Sequence, residues 1–163
     1  MNEQDQHKAL IHTFYPSIVQ RDYKTMSECY HDDAQFKDEV FQLKGKHIFG
    51  MWHMLCERGK DLNIEYDQAE VSCNTGSANW IAHHALSITK RPVINEVTAS
   101  FIVKDELVIN HQDDFDFWRW STQALGISGL IFGWSAFLKK KVQSEALNAL
   151  NAFISKHPEY QHV

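Results

Sequence analysis

Three ionisable residues in this chain have the types and spacing to move protons. His111 and Asp113 stand two apart in the stretch 105–120, and Phe115 and Phe117 continue the same alternation. In a strand, residues two apart share a face. A histidine and a carboxylate beside two aromatics is an unusual core face, because buried ionisable groups are costly unless paired. The opposite register carries Asn110, Gln112, Asp114 and Asp116, which is more polar still. The expected inward face is therefore that of His111 and Asp113. The third residue is His84, which shares a strand face with Trp80, Ala82 and Leu86, whereas His83 lies on the other face with Ile81 and Ala85. Asp38, between Lys37 and Glu39 in an extended stretch, reads on its own residues as a surface carboxylate.

Three roles are open to a cluster of His84, His111 and Asp113. A His–Asp pair acts as a general base when the carboxylate fixes the imidazole tautomer. Two histidines and a carboxylate also suit a facial metal site. The third role is a hydrogen-bonded polar patch in a binding cavity. The spacing His-x-Asp alone is a weak ligand motif, so no metal is expected. The histidines at 7, 12, 31, 47, 53, 157 and 162 read as surface or helix-face residues.

The elements that must position these groups follow from periodicity. Leu10, Ile11, Phe14, Ile18 and Val19 form a helical stripe over 5–20, with Pro16 set to kink or split it. Asp22 caps a short second helix ending near Asp32 and Asp33, and 34–41 is extended. Gly45 and Gly59 bracket a third helix. Strands are expected near 62–66, 78–89, 93–103 and 107–118, and a final helix from about Ser135 ends before Pro158. Three helices, an antiparallel meander and a helical tail make an α+β protein with helices on one face of a curved sheet.

Bulk properties limit the partners. The chain has 163 residues, 44% hydrophobic and 23% charged, with a net charge of −5. That suits one soluble domain over 1–163 and excludes a phosphate-binding surface, so no nucleic acid is expected. Three cysteines without a CxxC pair fit a reducing compartment. The opening Met-Asn-Glu-Gln-Asp-Gln-His lacks the apolar core of a signal peptide, and a cytoplasmic location is the expectation.

Tyr30-His31-Asp32-Asp33-Ala34-x-Phe36-x-Asp38, preceded by Asp22-Tyr23-x-x-Met26, resembles the NTF2-like superfamily. Gly45-x-x-x-Ile48 and His111-x-Asp113-x-Phe115-Asp116 are similar to its SnoaL-like, ketosteroid-isomerase-like branch. The resemblance covers roughly 5–122 and implies a cone, a curved antiparallel sheet wrapped around helices with an apolar cavity at its open end. It leaves 123–157 as an extra helical tail. It implies a homodimer, often through the outer sheet face, where Trp118 among acids suits a contact.

The family pattern puts the isomerase base on Asp38. The isomerase's two oxyanion donors fall near Phe14 and Ala99, which cannot donate, although Tyr15 adjoins Phe14. The same alignment turns His84 inward with His111. It makes Phe14, Tyr15, Trp52, Trp80, Phe101 and Phe115 the candidates to line a cavity for a small apolar molecule. The expected function is a cofactor-independent lyase, isomerase or hydrolase working by proton transfer through Asp38, His84, His111 and Asp113. The alternatives are a non-catalytic binding protein or a dimeric scaffold. The apolar run from Ala124 to Trp134 is open to three readings: lid, dimer element or membrane-surface contact. Packing of 124–137 on the protein or a twin subunit is the expectation, not membrane contact.

Overall fold

A computed structural model describes residues 3–67 and 69–161, with the side chains of 5–67 and 69–161. Helix α1 (Glu3–Gln20) runs unbroken through Pro16 and is not split there. Helix α2 (Tyr23–Glu28) starts where the Asp22 carboxylate accepts from the Thr25 N–H at 3.2 Å. It stops four residues before Asp32, because β1 (Tyr30–Lys37) begins almost at once. A short β2 (Gln42–Lys44) folds back on β1, and α3 (Lys46–Arg58) follows Gly45, whose φ of 51° suits a residue without Cβ. Then come β3 (Asn63–Tyr66), β4 (Glu70–Ser72), β5 (Thr75–Ala85), β6 (Pro92–Lys104) and β7 (Leu107–Phe115).

The seven strands make one unclosed sheet in the order β2-β1-β7-β6-β5-β3, with β4 also on β5. Helices on one face of this sheet give the α+β cone of NTF2-like proteins. The sheet is mixed and not wholly antiparallel. β1 lies parallel to β7, with Phe36 beside His111 and Lys37 beside Gln112. β6 pairs antiparallel to both neighbours, matching Phe101 to His111, Ala99 to Asp113 and His84 to Val93. Ala99 and Phe101 are buried on the inner face in one core with Ile11, Phe14, Tyr15 and Ile18 of α1 and Ile48, Met51 and Trp52 of α3, and Val93, Val97 and Val103 of the same strand are also buried.

The strand expected to reach 118 ends at 115. Asp116 turns the chain by capping α4 (Phe117–Leu125), its carboxylate accepting from the Arg119 N–H at 2.9 Å. Trp118 is therefore on a helix and not on the outer sheet face. Helix α5 (Ile127–Phe132) packs back on α4, and α6 (Ala136–Ile154) starts where Ser135 Oγ accepts from Leu138 N–H. The end of α6 docks on α3 through Leu150, Phe153 and Ile154, all buried. At roughly 1.5–3 kcal/mol for each such side chain, this contact outweighs the ordering entropy of the final turns. The run before α6 is different. Ile127, Trp134 and Phe137 are each more than three-quarters exposed, and Leu130, Ile131 and Phe132 about half. The large apolar side chains of 127–137 are thus left exposed, although Gly129 and Gly133 are buried against α4. Among the described residues no helix is long and apolar enough to cross a membrane.

Candidate functional site

The site is built where β1 and β7 run side by side. Strand alternation buries His111 and Asp113 to 1% and 4% exposure, while Asp114 faces outward. The inward register of β7 is as its alternation requires. One residue beyond the paired Lys37 and Gln112, the parallel register brings Asp38 next to Asp113. Across β7 the neighbour of Asp113 is Ala99, whose side chain is a single methyl group.

His111 is held at both nitrogens. Its Nε2 lies 2.9 Å from Asp113 Oδ1, and its Nδ1 lies 2.6 Å from Tyr30 Oη. Trp52 Nε1, which can only donate, is 3.2 Å from the same phenol oxygen. The hydrogens then fall into one order. The indole N–H donates to Tyr30 Oη, the phenol O–H donates to His111 Nδ1, and the Nε2–H donates to Asp113. This assigns the neutral Nε2–H tautomer to His111, since a proton on Nδ1 would leave the phenol hydrogen without an acceptor. Burial pushes the Tyr30 phenol well above its ordinary range, so it stays a donor. Phe14, Phe36 and Phe101 pack on the imidazole with ring centroids 5.7, 5.0 and 4.4 Å away.

Asp38 is half-buried at the end of β1. Its Oδ1 accepts from the Val40 N–H at 2.7 Å and the Phe41 N–H at 2.5 Å, a turn cap that fixes the carboxyl. Burial raises its pKa to about 6, against the opposing pull of those two bonds; nearby Asp113 adds to the rise. The Tyr15 hydroxyl is buried and has no hydrogen-bond partner. Burial, then the charge of Asp113, raise this phenol far above its usual value, so it too is held protonated. Tyr15 stacks on Tyr66 at 5.1 Å and meets Phe101 edge-on. The rim beyond Asp38 is bordered by α6, where Lys139 pairs with Glu39 and lies over the Phe117 ring, and Gln143 donates to the Glu39 carbonyl at 3.0 Å.

His84 does not join this cluster. It is on the inward face of β5, but opposite Val93, eight residues along β6 from the Phe101 that faces His111. At about 3.3 Å per residue that is about 26 Å along the sheet, too far to share a proton or a substrate atom. Its neighbour is Asp61, and its buried Nδ1 has no partner. Of the lining candidates, Phe14, Trp52 and Phe101 are fully buried around His111 and fill space there. Trp80 and Phe115 are half-buried further toward the rim. Tyr30 was legible only as part of a motif, and its link to His111 spans 81 residues of sequence. Two histidines read as surface groups are buried: His7, whose Nδ1 is 2.7 Å from the Cys73 carbonyl, and His53. His162 lies outside the described residues.

The arrangement offers a carboxyl that titrates near neutrality, a second carboxylate oriented by an imidazole, and an unengaged phenol proton. Those are the parts of an acid–base site.

No family model matches the sequence, and no curated protein is significantly similar to it. Solved structures do match the fold. A LEH-like epoxide hydrolase of M. tuberculosis superposes with a TM-score of 0.65 at 15% identity, over 80% of this chain and 96% of that one. An NTF2-like protein of Burkholderia xenovorans gives 0.63 at 10% identity, covering 75% and 98%. IdmH of Streptomyces antibioticus, a candidate polyketide cyclase, gives 0.62 at 17% identity, covering 75% and 99%.

Proposed function

We propose that this chain, with its NTF2-like fold, is an acid–base enzyme acting on a small, largely apolar molecule. The reaction is an isomerisation, elimination or hydrolysis of the kind a carboxylate and a phenol can carry without a cofactor. The observation that carries the reading is the adjacency of Asp38 and Asp113 beside the orphaned Tyr15 hydroxyl. A buried hydroxyl without a partner costs roughly 1–3 kcal/mol, so a site that keeps one reserves it for a ligand oxygen. Tyr15 donates to that oxygen as negative charge develops on it. Asp38, with a pKa of about 6, takes or returns the substrate proton. Asp113, oriented by His111, is the second carboxylate, fixing a water or the substrate's polar end. The likeness of fold to an LEH-like epoxide hydrolase and to a candidate polyketide cyclase is compatible with small-molecule proton transfer.

The test is proton exchange. The full chain is incubated in D2O with a panel of small apolar ketones, enones and epoxides, and carbon-bound deuterium and diols are followed by NMR. Turnover by the wild type that falls at least about a hundredfold in Asp38→Asn supports the reading. A second reading, a non-catalytic binding protein, is favoured by the two backbone hydrogen bonds already on Asp38 Oδ1. Binding of panel members without exchange or hydrolysis selects it.

We also propose that a second copy of the chain covers the apolar surface of 127–137. The outer sheet face suits self-association less well. Its cleft of about 790 Å³ is lined by Glu65, Asp67, Glu96, Asp114 and Asp116, and identical acidic faces repel. In this reading the dimer forms at the α4–α6 corner, next to the site rim.

A further inference from the structure

Away from the acid–base site, α3 and the end of the chain bring together side chains that suit a transition metal. One ring nitrogen each from His53 and His157 and one oxygen of Glu159 lie within 4.8 Å of one another. Glu57, one helical turn after His53, places its Oε1 3.1 Å from His53 Nε2. His157 Nδ1 is 3.3 Å from Glu159 Oε1. In a tetrahedral site with bonds of about 2.0–2.1 Å, neighbouring ligand atoms stand about 3.3 Å apart. The His157–Glu159 separation matches that edge, and Glu57, outside the converging trio, is in reach of His53 alone.

The surroundings fix both imidazoles. The Tyr160 hydroxyl lies 3.1 Å from His53 Nδ1, which leaves Nε2 facing the cluster and gives Nδ1–H an acceptor. Tyr23 stacks on the His53 ring at 3.7 Å, and Phe153 stacks on the His157 ring at 4.1 Å. His53 is buried, whereas the side chains of Glu57 and Glu159 are more than half exposed, so one side of the cluster is open to water and to an entering ion.

We propose that His53, His157 and Glu159, with Glu57 as a fourth donor, bind a zinc ion that fastens the C-terminal segment to α3. Two nitrogens and carboxylate oxygens form the borderline donor set that Zn2+ and Co2+ accept. The arms come from two separate elements, a His-x-x-x-Glu pair on α3 and a His-x-Glu pair in the terminal turn, so the ion is a cross-link between them. It stabilises the folded chain because the unfolded chain does not present the donors together. The site stands about 100° around α3 from Trp52 and does not touch the proton-transfer groups.

The experiment titrates the chelator-treated full chain with Co2+ and then displaces it with Zn2+. The expected result is the visible spectrum of tetrahedral cobalt at one equivalent, bleached by zinc, with a zinc-dependent rise in Tm. Binding should weaken at least about tenfold in His157→Phe, which keeps the stack on Phe153, and in Glu159→Gln. His53→Phe should abolish it, and circular dichroism on each variant separates lost binding from lost folding. Binding of equal strength in the folded His157→Phe and Glu159→Gln variants would place the metal on other histidines and overturn the proposal. So would the absence of a tetrahedral cobalt spectrum in the wild type.

Discussion

The Tyr30 phenol meets His111 Nδ1 across 2.6 Å, and this bond decides the state of the whole cluster. With Trp52 donating to the same oxygen, the tyrosine proton has one destination, and the imidazole is left with one N–H, aimed at Asp113. Tyr30→Phe removes an acceptor from the indole and a donor from the imidazole, both buried. Urea denaturation should show a loss of roughly 1–3 kcal/mol for each group left unpaired. Nitrogen NMR of the imidazole should show that the Nε2–H tautomer is no longer held. A variant as stable as the wild type would refute this order of hydrogens.

Asp38 sets a pH dependence whose sign can be worked out. Its folded pKa is raised from 3.8 to about 6, so between those values the folded state binds more protons than the unfolded one. Stability therefore falls as pH rises from about 4 to 6, by up to about 3 kcal/mol, and stays lower above 6. Asp38→Asn keeps an oxygen to accept from Val40 and Phe41 but removes the titration. The variant should equal the wild type near pH 4 and exceed it at pH 7. A stability difference that does not change with pH would remove Asp38 as the titrating group.

Tyr15 should show a conflict between stability and function. Its hydroxyl is buried without a partner, so Tyr15→Phe relieves a desolvation cost and should raise stability by about 1 kcal/mol. The same variant loses the donor for a ligand oxygen, and should cut turnover by about a hundredfold, the usual weight of one such hydrogen bond. Thermal denaturation and the exchange assay together check this. A less stable variant would mean the hydroxyl has a partner in solution.

How much of this was legible in the sequence depended on the range of the signal. The inward face of His111 and Asp113 followed from alternation, which is local and unforgiving, since a slip of one residue turns every side chain over. The caps Asp22 and Ser135 are likewise local. His84 shows the limit: parity gives the face of a strand but not the height on the sheet, and eight residues of β6 separate it from the cluster. The parallel pairing of β1 with β7 joins segments some 75 residues apart, and no local pattern encodes it. It is that pairing which puts Asp38 beside Asp113. Helix α4 was hidden because Phe117, Trp118 and Trp120 are strong strand formers, and the Asp116 cap outweighs them.

Gly129 allows α5 to lie directly on α4. A Cβ there would overlap the Ser121 carbonyl, which is backbone and cannot swing away. Gly129→Ala should therefore separate α5 from α4 and destabilise this corner by more than the helix preference of alanine returns. Hydrogen exchange should rise at 118–134 while the sheet stays protected. Unchanged exchange would mean that the two helices are not in this contact.

The exposed run after α4 gives the last test. Ile127, Trp134 and Phe137 each present apolar surface that water disfavours by about 25 cal/mol for each Å2. If a second copy covers it, Trp134→Ser with Phe137→Ser should turn a dimer into a monomer in analytical ultracentrifugation. The fold should remain, because both side chains are more than three-quarters exposed within the chain. The indole emission of Trp134 in the wild type should shift to the blue as protein concentration rises through the dimer range. A wild type that stays monomeric at high concentration but sediments with vesicles would assign the surface to lipid instead. The segment has one basic cluster, Lys139 to Lys141, and Lys139 is already paired with Glu39, so it lacks the row of free cations that an anionic surface rewards.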